Sequence, residues 1–236
     1  MSTLLGELSA APAISVILPV LNEEPHLEES VSAILSQDYR GIFEVILALG
    51  PSKDRTNEIA SALAVRDNRV KLVANPTGKT AVGLNLAIAA SQSSVIVRVD
   101  GHATIPNNYL SLAIEILRET GAVNVGGVMA AQGISKFEKA VARAMRSPLG
   151  VGASRFHTGG ESGEVDTVYL GAFRREAVIA AGGFNTSHLT DVVITSEGRV
   201  YAAFSSGSGA ASEGIWTSNN ATGAAAGTWT RIANDA

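Results

Sequence analysis

The segment Val99-Asp100-Gly101-His102 places a carboxylate and an imidazole two positions apart on one turn, directly after an apolar run. Two such side chains can reach a single divalent cation, Mn²⁺ or Mg²⁺, and a diphosphate needs such a cation to neutralise its charge. Taken alone, Asp-Gly after a strand is most often a plain turn, so the weight of the motif rests on where it stands in the chain. Lys79, in Pro76-Thr77-Gly78-Lys79-Thr80, opens a helical pattern. There it is either a phosphate ligand, assisted by the free N–H groups of a helix start, or a solvated lysine of a first turn. The upstream Lys71-Leu72-Val73-Ala74-Asn75-Pro76 lacks the glycine of a nucleoside triphosphate loop, which removes that reading. Asn22-Glu23-Glu24, and likewise Ser52 with Asp54, are either ligand-facing loop residues or helix caps with favourable acids behind them. Asn85 is either a satisfied buried amide or a group facing a cleft. His26, His157 and His188 show no ligand spacing with one another, and Asp166 is a secondary candidate ahead of a later apolar run.

The elements that position these residues follow from the change of period along the chain. Apolar, β-branched runs at 14–20, 43–49, 70–74 and 94–99 predict strands. Between them, apolar spacings of three and four predict helices over 23–37, 54–65 and 79–90. In the last of these, Val82, Leu86 and Ala89 are expected to face inward. Strand–helix alternation of this kind predicts a doubly wound, mainly parallel sheet, whose ligands sit outside the carboxyl ends of the strands. That rule selects the loops 19–24, 50–56, 75–80 and 100–103, all polar or charged. Asn107 is expected to cap a further helix that Gly121 ends. A strand over 123–129, a helix over 136–145, a strand over 165–173 and a short helix over 175–181 complete the pattern, ahead of Gly182-Gly183-Phe184.

After about residue 186 the composition turns to Gly, Ala, Ser and Thr without helical period, and strands are expected over 191–195, 199–204, 214–217 and 228–232. The expected organisation is therefore a flexible start (1–12), an α/β domain (13–185) and a β-rich tail (186–236). Composition bounds the function. A chain of 236 residues, 46% apolar, can bury a sizeable core, and a net charge of −4 with no basic stripe argues against nucleic acid as a partner. The absence of cysteine excludes disulfides and thiol chemistry. Without a basic start or a long apolar window, the expectation is a cytoplasmic chain that meets a membrane, if at all, peripherally at its inner face.

Taken in order, several segments resemble the bacterial family 2 glycosyltransferases of GT-A fold, most of all the subgroup that builds succinoglycan-type exopolysaccharides. They are Ser15-Val16-Ile17-Leu18-Pro19-Val20-Leu21-Asn22-Glu23-Glu24, Leu49-Gly50-Pro51-Ser52-Lys53-Asp54-Arg55-Thr56, Gly78-Lys79-Thr80-Ala81, Val97 to Ala103, and Val165 to Gly171 with Gly182-Gly183-Phe184. By that resemblance Pro19, Leu21, Asn22 and Glu23 line a nucleotide pocket, the loop from Gly50 to Asp54 lies beside the base, and Asp100 holds the metal with His102 in place of a second aspartate. The implied donor is a nucleoside diphosphate sugar, with a UDP-sugar expected, and the implied acceptor a glycan or lipid-linked hydroxyl. Two departures stand out. The acid that reads uracil is missing from the second loop, and after Phe184 only Asp191 is present where a helix usually carries an acidic pair, one of which serves as base. The tail resembles a partial β-propeller or sialidase-like repeat. The alternative to an enzyme is a truncated or fused remnant that binds nucleotide without turnover.

Overall fold

The computed structural model describes residues 7–131, 133, 136–144, 147, 163–165, 168–184, 186 and four short strands of the tail. Strands β1 (Ile14–Val20), β2 (Phe43–Leu49), β3 (Val70–Ala74) and β4 (Val95–Arg98) alternate with helices α1 (Leu27–Leu35), α2 (Thr56–Arg66) and α3 (Thr80–Ala90). Then come α4 (Tyr109–Thr120), β5 (Asn124–Gly127), α5 (Lys136–Ala144), β6 (Tyr169–Arg174) and α6 (Arg175–Ala180). The sheet order is β3-β2-β1-β4-β6-β5. β1, β2, β3 and β4 run parallel, and β6 lies antiparallel to β4 through Val95 opposite Arg174 and Val97 opposite Ala172. This is the mainly parallel α/β sheet expected, with β6 reversed.

The core explains the strand assignments. Ile17, Ile46, Ala48 and Ile96 meet Leu84, Ala87 and Ile88 of α3 and Val178 of α6, with Val73, Phe173 and Phe184 packed alongside. The alternate side chains Val16, Leu18, Val45, Leu47 and Val97 are equally buried, as both faces of a parallel sheet must be. α3 turns a different face inward from the one expected: Gly83, Leu84, Ala87 and Ile88 are buried, whereas Ala89 is exposed. The helix is apolar almost all round, so its spacing could not say which face meets the sheet.

Three boundaries shift for local reasons. α1 starts at Leu27, because residues 21–26 form a loop in which the Glu23 carbonyl accepts from the N–H groups of His26 and Leu27. Asn108, not Asn107, stands at the start of α4, without a side-chain cap, while the Asn107 carbonyl accepts from the Asp38 N–H. Gly121 ends α4 at φ 68°, as expected for a left-handed stop. β6 begins at Tyr169; Asp166 and Thr167 lie outside the described residues. The chain divides into two compact units, one of residues 1–125 with 172–236 and one of residues 126–171. In the tail, β7 (Val192–Ile194), β8 (Val200–Phe204), β9 (Gly214–Ser218) and β10 (Thr230–Ala233) form an antiparallel sheet in sequence order. The residues between these strands, where the propeller-like turn was expected, are outside the described set.

Candidate functional site

In the sheet order β1 has β2 on one side and β4 on the other, so the connections that leave β1 and β4 diverge and open a crevice at their carboxyl ends. The loops after β1 and after β4 flank that crevice. They carry Asn22 and Glu23 on one side, and Asp100 and His102 on the other.

The loop after β1 is the hub to which the others are tied. Asn22, at φ 56°, donates its N–H to Ser52 Oγ (3.1 Å), and its Oδ1 accepts from the Lys53 N–H (2.8 Å). The Glu23 N–H donates to Thr56 Oγ1 (2.7 Å), the Glu24 N–H to Asp54 Oδ2 (3.2 Å), and Glu24 Oε2 accepts from the Arg55 N–H (3.0 Å). Asp54 Oδ1 also accepts from the N–H (3.1 Å) and hydroxyl (2.5 Å) of Thr56. That hydroxyl bond, followed by the backbone donors of Thr56 and Glu24, holds the Asp54 carboxyl below its ordinary value. Asn22 and Glu24 therefore serve as cross-braces between two loops, not as caps of α1. Asp54 does brace the start of α2, and reaches across the gap as well.

The third loop joins by close packing. A Cβ on Gly50 would stand 3.0 Å from Leu21 and 3.3 Å from the Gly78 Cα, and Gly78, at φ 66°, lies against Pro51 and Leu21. Pro19 pairs with Ala48 along the strands that deliver these loops. Lys79 follows at the start of α3, exposed and without an ion-pair partner among the described residues. Its neighbour Asn75 is buried and donates from Nδ2 to the Lys79 carbonyl (3.1 Å), which fixes the backbone there.

At the fourth loop, Arg98 Nε donates to Asp100 Oδ1 (3.1 Å), and Ser30 Oγ donates to the Asp100 carbonyl (3.4 Å). His102 Nδ1 lies 2.9 Å from Glu23 Oε1. Gly101 between them is buried, and a Cβ there would meet Glu23 Cγ at 2.8 Å, so glycine lets Glu23 lie against the turn. Of the expected site residues, Leu21, Asn22, Glu23, Gly50, Asp54, Lys79, Asp100 and His102 thus stand at these strand-end loops, whereas Pro19, expected in the first loop, lies within β1. Asp166 and Asp191 lie outside the described residues. Arg98 and Thr56 were not anticipated; both are ordinary strand-end and helix-start residues whose partners are distant in sequence or hidden in a turn. Asn85 resolves to the satisfied-amide alternative. Its Oδ1 accepts from the Phe184 N–H (2.8 Å) and its Nδ2 donates to the Phe184 carbonyl (2.6 Å), so it clamps the Gly-Gly-Phe turn to α3.

Residues 15–181 match the model of Glycosyl transferase family 2. The chain belongs to that family. Among curated relatives, the family 2 chain is 33% identical over 183 residues to the succinoglycan biosynthesis protein ExoA of Rhizobium meliloti (strain 1021), a match covering 77% of this chain and 55% of that protein. It is 34% identical over 103 residues to the uncharacterized glycosyltransferase EpsJ of Bacillus subtilis (strain 168), covering 44% of this chain and 28% of that one. The chain therefore spans about half or less of the relatives it matches. In fold it is similar to the mannosyltransferase PcManGT from Pyrobaculum calidifontis, solved in complex with GDP-Man and Mn²⁺, with a TM-score of 0.57, 24% identity and coverage of 79% of this chain and 51% of that one. It is similar as well to S. aureus TarS 1-349 in complex with UDP, with a TM-score of 0.54, 18% identity and coverage of 73% and 49%. Its architecture is the GT-A fold.

A divalent cation fits the donor chemistry of the family 2 chain at the fourth loop. Asp100 Oδ2 and His102 Nε2 have no hydrogen-bond partner among the described residues, and both belong to one turn. No group of three or more ligand-type side chains is present among the described residues. Two protein donors suit a cation that takes its other ligands from phosphate oxygens and water.

Proposed function

We propose that the chain transfers a sugar from a nucleoside diphosphate sugar, with a UDP-sugar as the expected donor, to a hydroxyl of a growing exopolysaccharide or glycolipid, inverting the anomeric carbon. The observation that carries this reading is that, in a family 2 chain, the loop after β1 is tied to the other strand-end loops: Asn22 and Glu23 bond to the loop after β2, Leu21 packs on Gly78 of the loop after β3, and Glu23 meets His102 of the turn after β4. The ligands of the structural relatives, UDP in one and GDP-Man with Mn²⁺ in the other, and the succinoglycan role of ExoA are consistent with it.

Pro19, Leu21, Asn22, Glu23, Gly50 and Asp54 shape the nucleoside side, and Lys79 supplies a positive charge for the diphosphate. Asp100 and His102 would hold Mn²⁺ or Mg²⁺, which when bound neutralises the departing diphosphate. Arg98 keeps the Asp100 carboxylate oriented. In a single displacement the acceptor oxygen bonds to the anomeric carbon as the bond to the diphosphate oxygen breaks, and a carboxylate takes the hydroxyl proton. Asp191 is the proposed base, and Asp166 the second candidate on the acceptor side. The domain reading is a transferase part over 13–185 and a separate β-rich tail.

Among the described residues no helix is long and apolar enough to cross a membrane. α5 supports peripheral association at the inner face of the cell membrane: Phe137 (78% exposed) and Val141 (40%) stand beside exposed Lys136, Lys139 and Arg143.

Titration calorimetry with UDP and Mn²⁺ tests the site. Binding that needs Mn²⁺ and is lost in Asp100→Ala is expected, whereas unchanged affinity in that variant refutes the assignment. A panel of nucleotide sugars then separates enzyme from remnant. Transfer or hydrolysis of any one supports the enzyme; binding with no turnover on all of them leaves a nucleotide-holding remnant.

A further inference from the structure

We infer that Glu23 is a positioning residue for His102, fixing the imidazole tautomer and ring orientation that a metal ligand requires. The inference rests on the reading of Asp100 and His102 as the cation's holders.

A carboxylate oxygen can only accept, so at 2.9 Å from Glu23 Oε1 the His102 Nδ1 must carry the proton. In the neutral ring the lone pair is then on Nε2, the nitrogen that has no partner among the described residues. A carboxylate behind an imidazole in this way orients the ring and makes its other nitrogen a better donor to a metal. Exposure fits the division of labour. The Glu23 side chain is 17% exposed and that of His102 58%, so the sheltered group holds and the accessible one binds.

Glu23 is itself immobilised from two directions. Its N–H is tied to Thr56 Oγ1 at 2.7 Å, and its Cγ fills the space beside Gly101 where any Cβ would collide at 2.8 Å. The loop after β1 contributes in this way to both walls of the crevice. Its backbone is braced against the loop after β2, while its Glu23 carboxylate is spent on the metal turn. Asp100 is backed in the complementary sense, by the Arg98 guanidinium on Oδ1, so each candidate ligand has a partner of the opposite kind behind it.

The test uses the full chain labelled with ¹⁵N-histidine at neutral pH, in the absence of metal, with the His102 signals assigned by their loss in His102→Ala. In the neutral ring of wild type, the His102 proton is expected on Nδ1 and the lone pair on Nε2. Glu23→Leu is expected to shift it toward the Nε2–H form, while Glu23→Gln, whose amide oxygen still accepts, retains much of the wild-type pattern. In parallel, Mn²⁺ affinity in the presence of UDP is read from the electron paramagnetic resonance of free Mn²⁺. A fall of about 10–100-fold is expected for Glu23→Leu, with partial rescue in Glu23→Gln. If His102→Ala weakens Mn²⁺ binding but Glu23→Leu changes neither tautomer nor affinity, or the tautomer alone, the role given to Glu23 is overturned while the metal turn stands. If neither Asp100→Ala nor His102→Ala weakens Mn²⁺ binding, the reading beneath it fails instead. Should Glu23→Leu not fold, the comparison of Glu23→Gln with wild type decides: a lower Mn²⁺ affinity with an intact circular dichroism spectrum supports the role, and an unchanged affinity overturns it.

Discussion

The Asn85 clamp makes a quantitative prediction. Asn85→Ala removes two hydrogen bonds of 2.6 and 2.8 Å and leaves the N–H and C=O of Phe184 half-buried without partners. Two net hydrogen bonds plus incomplete resolvation give a cost of about 2–3 kcal/mol. Gly183 is coupled to the same clamp, since it sits at φ 80° and a Cβ there would stand 2.6 Å from Asn85 Oδ1. Gly183→Ala therefore incurs roughly 1–2 kcal/mol for the left-handed backbone and also has to push Asn85 off Phe184. Its total cost should reach about 3–4 kcal/mol. In the double variant the clash is gone because Asn85 is gone, so only the backbone penalty adds to the Asn85→Ala loss. The double-mutant cycle should fall short of additivity by about 2 kcal/mol, the clamp loss that both single variants share. Urea denaturation followed by circular dichroism measures it. With a slope of roughly 2–3 kcal/mol per molar urea, Asn85→Ala alone lowers the midpoint by about 1 M. Additivity within about 0.5 kcal/mol would refute the claim that the amide and the glycine share one space.

Other outcomes follow from the loops and the surface. Because the Thr56 hydroxyl, then the backbone N–H groups of Thr56 and Glu24, hold the Asp54 carboxyl below its ordinary value, Asp54 contributes stability that is present above the unfolded-state value and is lost as pH falls through the folded one. In an acid titration Asp54→Asn should lose less stability than wild type across that acidic window, and an equal loss in both would count against the brace. Burial pushes the Tyr39 phenol from 10.0 up to about 12, with its hydroxyl donating to the Pro12 carbonyl at 2.5 Å. Its contribution is whole below pH 10.0 and drains away toward about pH 12, so ultraviolet titration should show one tyrosine ionising late, absent in Tyr39→Phe. Phe137→Glu should abolish cosedimentation with anionic vesicles and leave UDP binding intact, and undiminished cosedimentation would remove α5 from the membrane reading.

β1 and β2 were legible because parallel strands buried on both faces must be continuous apolar runs, and they begin and end where Ile14 and Phe43 and their partners predict; β3, an edge strand in which only Val70 is buried, was read from its apolar residues Val70, Leu72, Val73 and Ala74. The loops at their carboxyl ends were legible too, since the position of a ligand crevice follows from topology. What those loops do internally was not. Asn22-Glu23-Glu24 looks like a helix start by composition, yet its polar groups find partners about thirty residues away, and a local spacing rule has no access to such pairs. Arg98 is invisible for the same reason in reverse, since its partner Asp100 is so near in sequence that the pair reads as strand-end charge. The inward face of α3 escaped because a helix apolar on all sides has no pattern to read.

The bracing decides what kind of site this can be. A nucleoside diphosphate sugar is long, so a site for it must hold the base-facing loop and the phosphate-facing turn at a fixed separation before the ligand arrives. In the site proposed, the separation of the loop after β2 from the turn after β4 is set by one element. β1 pairs with β2 through Val20 opposite Leu49 and with β4 through Ile17 opposite Arg98, so both loops hang from neighbours of a single strand. The strand alone would leave the loops free to splay beyond its end. Asn22 and Glu24 close one gap with backbone-directed bonds, and Glu23 closes the other through His102. Three consecutive residues thus make contacts in two directions from one strand end, with Asn22 in the left-handed region at φ 56°. Asparagine is among the few non-glycine residues that adopt this conformation at small cost, so the residue type at position 22 suits the turn on which these contacts depend.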